Sequence, residues 1–280
     1  MEIVQLVVNG VLLGGMYALL GVGMAMIFGI VGLTNLAHGE FVIVGAYAST
    51  LLAQGMGVDP ILTLCVTVPM MFLIGAGLQY ALFNRAMRRG AEPALLVTFG
   101  VSIILQDALL LLFSADARHA EAAYGLATVR IAGIDVSALN LVLFGISVCS
   151  VLLLSLFLSG TYAGRAIRAV SDDGRAASLS GVNVRRIYAL AMGIALATAA
   201  VAGLCVGMKW TFYPSSGGRY LLIAFIVVVI GGMGSIPGTL LAGMVFGLAQ
   251  VIGGANYGLL ISYLLLLIVL TFRPKGLLGK

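Results

Sequence analysis

The sequence contains little charge and few of the residues that build most catalytic centres. Only 9% of its 280 residues are Asp, Glu, Lys or Arg, whereas soluble domains carry about 25%. Its two histidines and three cysteines do not stand at metal-ligand or disulfide spacings, and no serine lies in a G-x-S-x-G turn. We therefore expect no catalytic residue and no metal site, and we expect the chain not to be an enzyme.

A phosphate-binding loop is also missing from the sequence. The motif G-x-x-x-x-G-K-S/T does not occur, so we do not expect the chain to cradle ATP in the manner of a P-loop. We predict that it binds no cofactor itself and that partner subunits carry out any step driven by ATP.

Apolar residues dominate what is present. They make up 61% of the chain, and the mean hydropathy is +1.16. Runs of about 18 or more apolar residues are typical of membrane-spanning helices, which satisfy their own backbone hydrogen bonds in hydrocarbon. Nine apolar segments occur, at 4–30, 41–54, 60–83, 94–113, 138–159, 187–208, 220–233, 238–253 and 258–272.

Three of these segments, 41–54, 220–233 and 238–253, are too short to span a bilayer alone. They adjoin two polar or glycine-rich breaks, GLTNLAHGE at 32–40 and GGMGSIPG at 231–238. We therefore predict an all-α polytopic membrane protein with about eight or nine transmembrane segments, some of them broken helices, in a single transmembrane domain over residues 1–280.

The basic residues predict the orientation of the chain. Eleven of the 15 Lys and Arg residues lie in three clusters beside apolar segments. The clusters are Arg85, Arg88 and Arg89; Arg165, Arg168, Arg175, Arg185 and Arg186; and Arg273, Lys275 and Lys280. The positive-inside rule places all three in the cytoplasm, which puts the N-terminus in the periplasm and the C-terminus in the cytoplasm. Because the charges follow membrane orientation, we expect no nucleic-acid partner.

The second cluster lies in a loop, residues 164–186, that has the features of a folded segment. Asp172 and Asp173 are favourable N-cap residues, and Gly181 stands where a helix would end in a left-handed residue. We predict a short cytoplasmic helix from about Asp173 to Ser180. Two interpretations stay open from composition alone: the arginines anchor helix ends on anionic lipid, or the helix docks into another protein.

Polar residues in the two breaks indicate a translocation path or its gate. Asn35, His38, Gly39 and Glu40 belong to the first break, and an ionisable group inside a membrane is a candidate functional residue. Alternatively, Asn35 and His38 provide hydrogen bonds for the broken helix. From the second break we predict Gly232, Gly234 and Pro237 as path or gate residues. Asp107, in the fourth apolar run, is expected to pair with a neighbouring helix rather than with substrate.

Several stretches resemble a known family. Ala176, Ala177 and Gly181 match the Ala-Ala-x-x-x-Gly part of the "EAA" loop through which ABC importer permeases contact their ATPases, although Arg175 replaces the leading Glu. The stretches at 9–47, 164–186, 231–250 and 272–279 look like those of the branched-chain amino acid ABC transporter permease family.

The resemblance implies the ABC importer permease fold and a role in moving branched-chain or related amino acids across a bacterial inner membrane by alternating access. It implies three kinds of protein partner: a second homologous permease, two cytoplasmic ATP-binding subunits and a periplasmic substrate-binding protein. The lipid membrane is the further partner that the apolar runs predict. The residues implied in ATPase coupling are Arg168, Asp172, Asp173, Ala176, Ala177 and Gly181. Amino acids, amides and urea stay open as substrates.

Two other classes of transport protein remain as alternatives. An ion-coupled secondary transporter of a small polar solute also uses broken helices around a central site, but such carriers usually contain several intramembrane carboxylates, and here only Glu40 and Asp107 qualify. In a passive channel the breaks would form a filter or gate. Neither alternative needs a capped cytoplasmic helix.

Overall fold

The structure is a computed structural model that describes residues 2–131 and 134–279. Lys280, the last member of the third basic cluster, lies outside these residues. The helices are α1 (Glu2–Val31), α2 (His38–Met56), α3 (Leu64–Leu78), α4 (Asn84–Met87), α5 (Ala91–Phe113), α6 (Ala138–Gly160), α7 (Tyr162–Asp172), α8 (Gly174–Leu179), α9 (Val184–Lys209), α10 (Gly217–Gly231) and α11 (Ile236–Phe272). Single helical turns, Pro60–Thr63 and Pro214–Ser216, precede α3 and α10, and a π turn, Gln79–Phe83, joins α3 to α4.

In the described part of the chain, seven helical stretches are long and apolar enough to cross a membrane. They are Ile3–Val31, Pro60–Met87, Ala91–Phe113, Ala138–Gly160, Val184–Lys209, Pro214–Gly231 and Ile236–Gly254. The other two predicted segments also form helices, but α2 begins with polar residues and Asn256–Phe272 is shorter. The prediction of an all-α polytopic membrane protein is confirmed, with seven stretches meeting this criterion where eight or nine spans were predicted.

The helix α11 is interrupted at Gly254. Its φ of 61° and ψ of −164° are non-helical and readily adopted only by glycine. Beyond it the chain folds back closely, because a Cβ atom at Gly253 would lie 2.6 Å from the Cα atom of Gly258. The helix therefore consists of two limbs, Ile236–Gly254 and Asn256–Phe272, which agree with the separate segments predicted from sequence.

The first limb of α11 packs against α1 backbone to backbone. A Cβ atom at Gly10 would lie 2.7 Å from the Leu248 side chain, and Cβ atoms at Gly14 and Gly247 would overlap the backbone of the opposite helix. Side-chain-free contact of this kind favours helix association in lipid, where no hydrophobic force drives helices together. The glycines spaced four apart, at positions 10 and 14 of α1 and at 243 and 247 of α11, thus allow the two helices to pack tightly.

The centre of the bundle contains α2, which packs along α9. A Cβ atom at Gly45 would lie 2.8 Å from the Cα atom of Ala200, and one at Gly203 would overlap the α2 backbone. By contrast, α3, α5 and α6 lie at the periphery and expose large apolar side chains such as Leu73, Ile104 and Leu153. The predicted path residues at the start of α2 are consequently in the interior.

The loop at 114–137 contains regular structure among its polar residues. Strands β1 (Thr128–Ile131) and β2 (Ile134–Ser137) pair antiparallel with Val129 opposite Val136. Arg118 also forms a two-way backbone bridge with Phe212. The β-branched residues among the polar ones favour extended backbone, a signal that the charged residues of the loop obscure.

Replacing Gly14 by Ala should destabilise the bundle, because the new methyl group would overlap the α11 backbone. Overpacking of this kind costs about 1–3 kcal/mol. The measurement is the thermal unfolding temperature of the purified protein in detergent. Gly145→Ala is the matched control, since nothing lies within 4 Å of the place where a Cβ atom would stand at this helical glycine. An equal melting temperature for both variants would contradict the packing of α1 on α11.

Candidate functional site

The first break, residues 32–37, returns the chain from the end of α1 into the bundle. Asn35 is fully buried, and its Oδ1 accepts a hydrogen bond from the N–H of Ala37 at 3.1 Å. The Thr98 hydroxyl on α5 accepts the N–H of Leu36 at 3.3 Å. These bonds satisfy backbone groups that a continuous helix would have satisfied itself. Asn35 therefore has the local hydrogen-bonding role that the sequence allowed for it.

The His38 ring fixes where α2 begins. Its Nε2 lies 3.2 Å from the carbonyl oxygen of Leu20, in the middle of α1. The side chain is buried, and its Nδ1 has no hydrogen-bond partner among the described residues. His38 thus joins the two helices that the break separates, and it leaves one ring nitrogen available inside the bundle.

The Glu40 carboxylate lies against the first residue of α10. It occupies the space where a Cβ atom of Gly217 would stand. Glu40 is only 3% exposed, and within the described chain its Oε2 accepts no hydrogen bond. The positive end of the α10 dipole favours an acidic group here. Next to it, a Cβ atom at Gly39 would overlap the Gly217 carbonyl oxygen, so this crossing of α2 and α10 depends on glycine on both helices.

The second break separates α10 from α11 and lies beside the end of α1. Gly232 and Gly234 have φ values of 101° and 85°, which residues with a side chain rarely adopt. A Cβ atom at Gly29 of α1 would lie 2.7 Å from the Cα atom of Gly234. Pro237 is in the first turn of α11, where its missing N–H costs no hydrogen bond.

The C-terminal segment covers this second break. The N–H of Leu277 donates to the carbonyl oxygen of Ile230 at 2.7 Å, and that of Leu278 donates to Gly231 at 3.1 Å. These acceptors are among the last carbonyls of α10, which have no partner within their own helix. The stretch at 272–279, which the sequence marks by its resemblance to the family and by Arg273 and Lys275, therefore caps α10.

The predicted short helix is present as α8, with residues Gly174–Leu179 between caps at both ends. The Asp173 Oδ1 accepts the N–H groups of Arg175 at 2.8 Å and Ala176 at 3.0 Å. At the other end Gly181 has a φ of 86°, and the N–H of the following Val182 donates to Ala177. This bond completes a Schellman motif. The hydrogen bonds from Ala176 and Arg175 hold the pKa of the Asp173 carboxyl below its ordinary value.

The surface of α8 differs from the sequence prediction in two respects. Ala177 is buried, on the side of α8 that faces the rest of the protein, whereas Ala176 is exposed. Leu179, which the prediction omitted, is 90% exposed. Leu179 therefore presents an apolar side chain to solvent at the end of this capped helix, in the loop that contains the second basic cluster.

A second helix in the same loop, α7, was missed from sequence. Its buried residues Ile167 and Val170 alternate with the exposed Arg168 and Ser171 at helical spacing, which is the signal that could have revealed it. The Ser171 hydroxyl donates a hydrogen bond to the carbonyl oxygen of Gly29. This contact connects α7 to the end of α1 that touches the second break.

One cavity of about 500 Å³ brings part of the predicted gate and part of the predicted coupling region together. Arg168 and Asp172 line it from α7, and Gly234 and Pro237 line it from the second break. Asn35, His38, Gly39 and Glu40 are not among its lining residues. The two breaks thus form separate groups, joined through α1, which contacts His38 at Leu20 and Gly234 at Gly29.

Comparison with known proteins identifies the family. The family model described as the permease component of branched-chain amino acid transport systems matches residues 6–270. The chain belongs to this family. The resemblance noted from the sequence is thereby confirmed, and the chain is a permease component.

Individual relatives match this permease over almost its whole length. BraD, a permease protein of the high-affinity branched-chain amino acid transport system of Pseudomonas aeruginosa, is 34% identical over 99% of the chain and 95% of its own length. LivH of Escherichia coli is 32% identical over the same shares. LivM, also a permease protein of that system, is 27% identical over 94% of this chain and 67% of its own length.

A solved structure has a similar fold. The structure of PsaBC from Streptococcus pneumoniae in complex with Fab aligns with a TM-score of 0.50 and 15% sequence identity, covering 98% of this permease and 93% of the solved chain. The likeness concerns the fold of the helices alone.

The contact between Glu40 and Gly217 gives a testable prediction. Gly217→Ala should lower the thermal unfolding temperature, because the added methyl group collides with the Glu40 carboxylate. Gly218→Ala is the control at the neighbouring position, where nothing lies within 4 Å of a Cβ atom. In the double variant Glu40→Ala with Gly217→Ala the loss should be largely recovered, and strictly additive effects would show that the two residues do not touch.

Proposed function

We propose that this permease is a subunit of an ABC importer that moves branched-chain amino acids across the bacterial inner membrane. In this proposal two cytoplasmic ATP-binding subunits drive transport, and a periplasmic binding protein delivers the substrate. The chain itself contributes the membrane path and no ATPase site. The named transport systems of BraD and LivH support the choice of substrate.

The observation that carries the proposal is the exposed, doubly capped helix α8. An isolated six-residue helix is unstable in water because nucleation costs more than a few hydrogen bonds return. Here the Asp173 cap and the Gly181 turn stabilise it, and Leu179 is directed outward. A lipid anchor would need only the flanking arginines, so this arrangement favours docking into a cytoplasmic ATPase.

A chain of contacts supports transmission from α8 to the membrane. Movement of α8 would displace α7, whose Ser171 is bonded to Gly29, and Gly29 packs on Gly234 in the second break. Glycines with positive φ can change conformation at little cost, so the break is a suitable hinge. We propose that this hinge, together with the buried break at Asn35, His38, Gly39 and Glu40, opens and closes the path.

The same contacts support the predicted orientation. The C-terminal segment reaches the end of α10, and this end lies beside the second break and the α7 loop. The second basic cluster and Arg273 and Lys275 of the third belong to this side of the protein, which we propose is cytoplasmic, with the N-terminus in the periplasm.

A second permease is favoured by the exposed face of α5. Leu96, Ile103, Asp107 and Leu111 all lie on this face and are exposed. Among the described residues Asp107 has no ion pair or hydrogen bond, and a lipid-facing charge within a span costs several kcal/mol (about 2.5–3.5 by insertion scales). We propose that a homologous permease covers this face and presents a donor or cation to Asp107.

The docking of α8 is tested by Leu179→Asp. A charge at this 90% exposed position should abolish copurification of the ATP-binding subunits and stop ATP-driven leucine uptake. Leu126→Asp is the control, because Leu126 is 99% exposed in the loop on the opposite side. If both variants retain the ATPases equally, α8 is not the docking element; leucine uptake that persists without any ATPase would instead favour the ion-coupled carrier.

The cap of α8 is tested by Asp173→Ala and Asp173→Asn. Alanine removes the hydrogen-bond acceptor and should reduce coupled uptake severalfold, whereas asparagine keeps an N-cap and should retain most of it. Because the folded pKa of Asp173 is lowered, the charged cap contributes above its ordinary pKa and is lost as pH falls through the lowered value. Uptake near pH 7 should consequently show no titration from this group.

The α5 face is tested by Asp107→Asn. Removing the charge should weaken copurification of the second permease by about tenfold or more, if the carboxylate is paired across a desolvated interface. Asp116→Asn, an exposed carboxylate just beyond α5, makes the same charge change outside the span and should have no effect. Equal retention in both variants would place this face outside the contact.

A further inference from the structure

The cavity beside α7 has the size of a small-molecule site. Its volume of about 500 Å³ lies within the range of about 300–1,000 Å³ typical of ligand pockets. Residues from α1, α6, α7, the second break and the C-terminal segment line it. It contains none of the buried residues of the first break, although Gly234 and Pro237 of the second break line it. It is therefore a separate site from the first break.

The cavity contains one cation and one anion in adjacent positions. Arg168 and Asp172 are related as i and i+4 on α7, which places their Cβ atoms about 5–6 Å apart on one face. Within the described residues they form no salt bridge with each other. Arg168 makes only a long hydrogen bond, 3.5 Å, to the carbonyl oxygen of Ser159. Both charges are therefore available to a ligand that has one charge of each sign.

The remaining walls are mainly apolar, with a few hydroxyl groups. The apolar lining comes from several elements and includes Met26, Ile30, Leu158, Ile167, Ile236 and Leu278. Ser155, Ser171 and Ser235 add hydrogen-bonding groups at the edge. Arg168 and Asp172 are both exposed at the cavity, so a ligand with one charge of each sign can contact both of them while its apolar part covers the apolar wall. The lining therefore matches a zwitterion with an aliphatic side chain.

We propose that this cavity binds a free aliphatic amino acid from the cytoplasmic side and that the bound amino acid slows transport. The inference rests on the proposed function, because the ligand is the transported product. Arg168 pairs with the carboxylate, Asp172 pairs with the ammonium group, and the side chain occupies the apolar wall.

The position of the cavity explains why binding would inhibit. One wall is α7, which precedes α8 in the same loop, and the opposite wall is the second break at Gly234 and Ser235. A ligand that contacts both walls stabilises their present separation. Because a ligand shifts a conformational equilibrium only by its difference in affinity for the two states, a cycle that moves these walls apart is slowed.

The test uses the complete transporter in proteoliposomes, with ATP inside and binding protein and labelled leucine outside. Unlabelled leucine inside at millimolar concentration should lower the initial rates of uptake and of ATP hydrolysis severalfold and saturably. The leucine analogue 4-methylpentanoate lacks only the ammonium group and isoamylamine lacks only the carboxylate, so neither should inhibit. Rates that do not change with internal leucine would overturn the proposal. Inhibition by either analogue as strong as the inhibition by leucine would also overturn it.

If the proposed transport function were wrong, the uptake assay would give a different result from the one expected if only the regulatory site were wrong. In that case vesicles with no internal leucine would not take up leucine at all, whatever the ATP concentration. Normal uptake without inhibition would instead reject the regulatory site alone.

Filling the cavity locates the site. Ser155→Phe places an aromatic ring in the cavity from α6, so internal leucine should no longer lower the uptake rate of this variant below its own rate without leucine. Leu156→Phe is the matched control, since this exposed neighbour does not line the cavity. Inhibition that survives in Ser155→Phe would place the site elsewhere.

A binding measurement covers the case in which Ser155→Phe does not fold. Internal leucine should slow maleimide modification of Ser155→Cys severalfold in the assembled transporter and leave Leu156→Cys unaffected, with each site followed by peptide mass. Equal modification rates with and without leucine would reject the site independently of any transport assay.

Discussion

Direct contact between helix backbones is the constraint on which the rest of the structure depends. In lipid the hydrophobic effect does not hold helices together, so association relies on close van der Waals packing and on the few polar contacts available. α1 meets the first limb of α11 through Gly10, Gly14 and Gly247, where side chains would overlap the opposite helix. Close backbone contact of the same kind joins α2 to α9 at Gly45 and Gly203.

This tight core allows the two breaks to exist. An unwound segment leaves backbone groups without partners, and hydrocarbon cannot satisfy them. The first break is satisfied inside the bundle by Asn35 and by Thr98 of α5. The second is satisfied at its edge by the C-terminal segment, whose N–H groups bind the last carbonyls of α10. Each break therefore depends on a different part of the chain that folds over it.

The breaks differ in what surrounds them, and this suggests different roles. Asn35, His38 and Glu40 are buried among α1, α9 and α10, so a change there must repack the core. Gly232 and Gly234 lie beside the cavity and near α7, where the neighbours are partly exposed. Packed cores switch between discrete arrangements rather than deform continuously. A change at Gly234 would therefore disturb fewer buried contacts than a change in the first break.

The sequence by itself determined the membrane class, the helical segments, the two breaks, the position of α8 and the family. These features depend on local patterns: long apolar runs, glycine in the breaks, and cap residues such as Asp173 and Gly181. Only the tertiary structure decided that Glu40 meets Gly217, that Ser171 meets Gly29, that the C-terminal segment caps α10, and that Arg168 and Asp172 share a cavity with the second break. Such contacts join residues far apart in the chain, and their partners are chosen by how closely the helix backbones approach, which no local pattern encodes.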